Sequence, residues 1–334
     1  MELKNLTPKE RQELAFTRKR VLYNNAWYKG TWNESAQKQF QARLSELQKS
    51  QIFESVRLHV DNATEILFND AHLNKLHSII TDIYDDLPLH PDTAFDKAWS
   101  ALEIAMNLYR KRILSGGYAE TDKMMEVICK QELTSLFKDH LKLKESLFHL
   151  FDIMPLSIGR FAFARLFHHR DIKIQSYYGK IKQRVQNLLG EEMYDGLYAK
   201  YKLTGNEQDD GNLHYVSAQE IVNMFRGSPI SVQEKNLPPL EEYKRLWLMM
   251  SGILYTARNE RFHGDNFSHF KSDLASIKTY GHFYYLLIFT YSLLWTVILR
   301  LNLKIGNNNF VTAEQLQMSI DKNIKLYQSF FRIG

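Results

Sequence analysis

Residues 282–299 read HFYYLLIFTYSLLWTVIL, eighteen positions without a formally charged side chain. A run of this length and composition suits either a membrane span or the fully buried helix of a bundle. Tyr284, Leu286, Ile288, Leu293, Trp295 and Ile298 supply apolar surface. His282, Thr290, Ser292, Thr296 and three tyrosines need hydrogen-bond partners that a lipid interior lacks. No second segment of this kind exists in the chain. The reading is therefore a buried bundle helix, with no membrane partner expected.

The flanking sequence extends that reading. A helix is expected over Ser268–Leu303, preceded by a turn at Gly264-Asp265-Asn266 and a helix over Leu240–Phe262. After a loop at Gly306–Asn309, Thr312-Ala313-Glu314-Gln315 forms a capping box, with Val311 and Leu316 as a hydrophobic staple. Upstream, Phe95, Ala98, Trp99, Leu102, Ala105, Met106, Tyr109 and Ile113 recur at spacings of three and four, which predicts an amphipathic helix ended by Ser115-Gly116-Gly117. Further helices are expected over 120–137, 141–151 and 160–168. The apolar run Ile174, Tyr177, Tyr178, Ile181, Val185 and Leu188 predicts another, stopped at Gly190. Thr204–Asn212 reads as an acidic loop, Val216–Phe225 as a short helix, and Arg226–Pro239 as a long connector. Toward the N-terminus, Thr7-Pro8-Lys9-Glu10 caps a helix running to about Asn24, and 25–33 is an aromatic-rich turn. Helices are expected over 35–49 and 70–84, while Gln51–Leu67 is ambiguous between strand and helix. With seven prolines and fifteen glycines in 334 residues, the expected class is all-α. The division is a helical N-terminal region, 1–90, and a helical domain, 91–334, most secure over 240–303.

Composition narrows the classes further. The net charge of +5 suits an anionic partner without requiring one. A single cysteine, Cys129, excludes an intrachain disulfide and fits a reducing cytoplasm; its place in the apolar run 124–137 marks it as a small core residue. The charged N-terminus lacks the apolar stretch of a signal peptide. No Walker loop, dinucleotide-binding glycine fingerprint or zinc-type cysteine set is present, so no cofactor and no metal are expected.

Polar residues appear abruptly at the end of the apolar segment 246–254: Arg258, Asn259, Glu260, Arg261 and His263. Asn259 and His263 are four apart, so they share a helix face and Asn259 can orient the imidazole. Arg258 lies about 100° around from Asn259, on the side of Leu254, Tyr255 and Phe262. A guanidinium leaving an apolar surface is poorly placed unless an anion or a partner meets it. Gly264 then reads as the helix stop. Glu260 and Arg261 have no role at this level.

The stretch Tyr255-Thr256-Ala257-Arg258-Asn259-Glu260-Arg261-Phe262-His263-Gly264 resembles the active-site signature of the HEPN superfamily. In that signature an Arg, a following polar residue and a His lie at the end of one helix, before another long apolar helix. Asp92–Tyr109 is more loosely similar to the first helix of such bundles. The resemblance implies an up-and-down helical bundle and metal-independent endonucleolytic cleavage of RNA. His263 would be the base toward the 2′-hydroxyl, Arg258 would clamp the phosphate, and Asn259 would hold the ring or the phosphate. The implied products carry 2′,3′-cyclic phosphate and 5′-hydroxyl ends. It also implies a homodimer with a composite site, a toxin or anti-phage abortive-infection role, and a neutralising or regulatory protein partner. The alternative is a non-catalytic HEPN module that binds RNA or protein. Asp265 stands where toxins controlled by adenylylation carry a Tyr, so that control is not implied.

Other polar clusters read more plainly. His168-His169-Arg170-Asp171 lacks the spaced partners of a metal site and reads as a polar helix end. Asp209-Asp210 reads as solvated charge. Lys173, Lys180, Lys182 and Arg184 alternate with Tyr177 and Tyr178, and are read as the wet face of a helix ahead of an RNA track.

Overall fold

The structure, a computed structural model, describes residues 35–118, 120–167, 177–202, 207–232, 235–262, 270, 275–307 and 310–331, with seven isolated helical positions between 14 and 25. The capping box at Thr7 and most of the aromatic turn at 25–33 lie outside the described residues. The class is all-α. In chain order the helices are α1 (Ser35–Glu46), α2 (Val60–Asn69), α3 (Ala71–Asp85), α4 (Pro91–Arg112), α5 (121–139), α6 (Leu141–Asp152) and α7 (156–167). They continue with α8 (Tyr177–Leu189), α9 (Glu191–Lys200), α10 (Glu207–Phe225), α11 (242–262), α12 (Ile277–Ile305) and α13 (Ala313–Phe331). The connector between α10 and α11 folds into a hairpin, β1 (Ile230–Val232) against β2 (Lys235–Leu237), with Ile230 opposite Leu237. Three helices carry a π-helical stretch: Ile128–Leu133 in α5, Phe163–Phe167 in α7 and Leu248–Leu254 in α11.

The opening stretch is the centre of the molecule. It lies in α12, which packs along α4 and is flanked by α1, α13 and part of α5. Of its most apolar window, 89% is buried by the rest of the chain. Most of its polar groups find partners inside the protein, whereas Thr290 Oγ1 and Asn302 Oδ1 have no hydrogen-bond partner among the described residues. Ser292 and Thr296 donate to the carbonyls of Ile288 and Ser292, four residues back, as does Asn302 to Ile298. The tyrosines reach non-helical backbone and other helices. Tyr284 donates to the Pro88 carbonyl at 2.8 Å and Tyr285 to that of Leu150 at 3.0 Å. Tyr291 accepts from the Val56 amide at 2.9 Å and shares a 2.7 Å bond with the Tyr84 hydroxyl. Burial pushes the Tyr84 phenol up to about 12, against the pull of that bond.

The predicted α4 face is buried from Phe95 to Tyr109, and α13 starts on the expected box. Thr312 and Gln315 exchange side-chain and backbone hydrogen bonds, above a buried Val311 and Leu316. Cys129 is fully buried. The N-terminal region shares the same continuous core: Phe40 of α1 stacks on Tyr280 with ring centroids 4.1 Å apart.

Several boundaries differ from expectation. α12 begins at Ile277 rather than Ser268, because Ser276 caps it with a reciprocal Thr279 bond. α10 starts at Glu207, so the expected acidic loop is largely its first turns. The ambiguous 51–67 is neither strand nor helix up to His59 and is helical from Val60.

Candidate functional site

α11 presents the Arg258 motif. Its π-helical stretch, Leu248–Leu254, is buried throughout, which fixes the helix in the core. Gly252 leaves room for the Leu248 side chain one turn back; a Cβ there would lie 3.0 Å from its Cδ1. Tyr255 then lies against Trp99 of α4, with centroids 5.8 Å apart, under the Arg184 guanidinium at 4.9 Å. Arg184 also pairs with Asp122 at 2.8 Å and donates to the Ser251 carbonyl. It is therefore a fastener of α8 to α5 and α11, and not part of a free basic track. Lys180 is exposed, as expected of a wet face; Lys173 and the side chains of Tyr177 and Tyr178 lie outside the described residues.

The motif's own residues separate into two groups. Glu260 and Arg261, without a role in the sequence reading, are the structural anchors. Glu260 is buried and ion-paired with Arg165 of α7. Arg261 grips Asp96 of α4 through Nε at 2.9 Å and one terminal nitrogen at 2.7 Å, and reaches Asp92 at 3.2 Å. Its guanidinium also lies 5.3 Å from the Phe283 ring centroid. Burial opposes the charge on Arg261, but Asp96 and Asp92 outweigh it and hold the guanidinium protonated. α11 is thereby clamped to α4, α7 and α12 at its polar end.

Arg258 is held more loosely. One terminal nitrogen donates to Asn259 Oδ1 at 2.9 Å, and the other meets Glu103 of α4 only at 3.5 Å. The guanidinium stacks over the exposed Phe262 ring at 4.2 Å, on the side the helical wheel indicated. Its Nε has no hydrogen-bond partner among the described residues. Asn259 is buried and orients Arg258. The expected bond from Asn259 to His263 lies outside the described residues, as do His263, Gly264 and Asp265. The site as described is thus one arginine with uncommitted donors, flanked by an aromatic ring and a carboxylate. That arrangement can accept an anion such as a phosphodiester.

Sequence reasoning missed Asp92, Asp96, Glu103 and Arg165. Three of these were legible as a pattern: Asp92, Asp96 and Glu103, with Trp99 between them, recur at four, three and four along α4. That spacing marks an acidic stripe beside the apolar face. Arg165 had no such signal, because its pairing depends on how α7 meets α11. The His168–Asp171 cluster lies outside the described residues, and Asp209-Asp210 sits at the start of α10. Among the described residues no group of three or more His, Cys, Asp or Glu side chains is placed to hold a metal ion. Comparison with protein-family models, with curated proteins and with solved structures finds no match to this chain.

Proposed function

We propose that this chain is an endoribonuclease of HEPN type that works without a metal, as a homodimer whose facing copies of Arg258 and His263 form one cleft. The observation that carries the proposal is the contrast inside the motif: Glu260 and Arg261 are clamped, while Arg258, its side chain 23% exposed, meets a carboxylate only at 3.5 Å. An arginine retained in that position is suited to a phosphodiester. Further support comes from the order of elements, in which the motif ends one buried helix and a long apolar helix follows.

In the reaction, His263 takes the proton of a ribose 2′-hydroxyl and the oxygen attacks the adjacent phosphorus. Arg258 holds the negative charge that grows on the non-bridging oxygens, and Asn259 keeps the guanidinium aimed. The bond to the 5′-oxygen breaks, an imidazolium protonates that oxygen, and the ends left are a 2′,3′-cyclic phosphate and a 5′-hydroxyl. Glu103 holds Arg258 until RNA displaces it. The proposed setting is cytoplasmic, as a toxin or anti-phage effector with a neutralising or regulatory protein partner. A non-catalytic HEPN module binding RNA or protein is the second reading, favoured by the extent to which the motif's other charges serve packing.

The test compares the full chain with Arg258→Ala and His263→Ala on single-stranded RNA in EDTA, with the ends mapped. Cleavage lost in both variants, with cyclic phosphate ends in the wild type, supports the nuclease. Equal cleavage by all three proteins overturns it, and RNA retention without cleavage by the wild type selects the second reading.

A further inference from the structure

A second site is lined by none of the motif's residues. A cavity of about 890 Å³ opens between α1, the Met154–Ser157 segment, α10, the first turns of α12 and the end of α13. Its inner wall is apolar, built from Met154, Leu156, Val222, Ile277, Phe330 and Phe331. Its mouth is cationic: Arg43, Arg160, Arg226 and Lys278 stand against a single carboxylate, Glu46. Glu46 is engaged by Arg43 at 2.7 Å, and Arg226 donates to the Asp152 carbonyl. Arg160 and Lys278 are exposed and have no ion-pair partner among the described residues. The 29-residue helix α12 begins at this mouth, which adds the partial positive charge of its N-terminus.

The lining selects the ligand class. Apart from the charged side chains, the lining holds four hydrogen-bonding ones, Gln39, Ser157, Gln219 and Tyr327, the last already donating to the Gly281 carbonyl. A nucleoside or sugar would leave buried polar groups unpaired there, whereas an alkyl chain would lose nothing. The volume falls within the range of small-molecule sites, about 300–1,000 Å³. We propose that this cavity binds an anionic amphiphile, an alkyl or acyl chain buried on the apolar wall with a carboxylate or phosphate head held by Arg160 and Lys278. The site is independent of the nuclease assignment.

The probe is 11-(dansylamino)undecanoate, titrated into the full chain and displaced with laurate, dodecyl phosphate, dodecanol or inorganic phosphate. One probe is expected per chain, displaced by laurate or dodecyl phosphate; the tighter of the two identifies the head group. Ala42→Trp, which closes the mouth from an exposed position on α1, should weaken binding by about tenfold or more, at least ~1.4 kcal/mol. Arg160→Glu with Lys278→Glu should weaken the two anionic chains similarly and leave dodecanol unchanged. Both replaced cations are exposed, so this double variant keeps the fold should Ala42→Trp not. Affinity unchanged in both variants, dodecanol displacing as well as laurate, or displacement by inorganic phosphate alone would each overturn the proposal.

Discussion

Arg258 and Arg261 sit three residues apart on one helix, and replacing each with alanine should destabilise the fold to very different extents. The Arg261 side chain is 14% exposed, and its partners Asp92 and Asp96 are 8% and 20% exposed. Arg261→Ala leaves two largely buried carboxylates without their cation. Removing one member of a buried pair costs about 3–5 kcal/mol. Unfolding entropy of about 2.1 cal/mol/K per residue, over 334 residues, gives roughly 0.7 kcal/mol/K, so Tm should fall by about 4–7 °C. Arg258→Ala removes a 3.5 Å contact to a partly exposed Glu103 and a stack on an exposed ring. Those are worth about 1 kcal/mol together, or about 1–2 °C. Thermal unfolding followed by circular dichroism measures both. Adding Asp92→Asn and Asp96→Asn to Arg261→Ala should recover part of the loss, because the cost lies in stranded charge. An Arg261→Ala protein melting within about 2 °C of wild type would refute the clamp. So would an Arg258→Ala protein destabilised as much as Arg261→Ala. RNA cleavage read on the stable Arg258→Ala variant then reports on chemistry and not on folding.

Other perturbations test the core and the caps. Tyr291→Phe strands the Val56 amide and the Tyr84 hydroxyl, and should cost about 1–3 kcal/mol with faster hydrogen exchange at Val56. Gly159→Ala would drive its Cβ into the Ala218 carbonyl, where α7 crosses α10; a loss of about 1–3 kcal/mol in denaturant midpoints is expected. Asp70 caps α3 by accepting from the His72 and Leu73 amides, and it pairs with Arg112. The Arg112 hydrogen bond, opposed by burial, holds its carboxyl below the usual 3.8. A folded-state value below the unfolded one stabilises the native state above the unfolded value, and that stabilisation is lost as pH falls through the folded value. The Tm gap between wild type and Asp70→Asn, worth about 0.5–1 kcal/mol, should be constant near neutral pH and close below about pH 4. A gap that widened on acidification would contradict the pairing.

The all-α class, the α4 and α12 stripes and the α13 cap were determined by the sequence alone, because each rests on periodicity or on side chains that bond within one turn. Arg258 on the Phe262 side of α11 was legible for the same reason: both residues belong to one helical wheel. What the tertiary structure decided is the division of labour within the motif. Glu260 and Arg261 look like solvent-facing charges in sequence, since an anchor and a free charge have the same residue type. Only the packing of α11 against α4 and α7 brings Asp92, Asp96 and Arg165 within bonding distance, from 95 to 169 positions away. The same holds for α12. Eighteen uncharged residues specify an apolar environment but not whether lipid or protein supplies it. In the folded chain protein surrounds most of this run, and the carbonyls of Pro88 and Leu150 and the amide of Val56 meet its tyrosines. Those partners exist only once the whole bundle has closed, because a tyrosine hydroxyl can be buried only where folding delivers a backbone group to meet it.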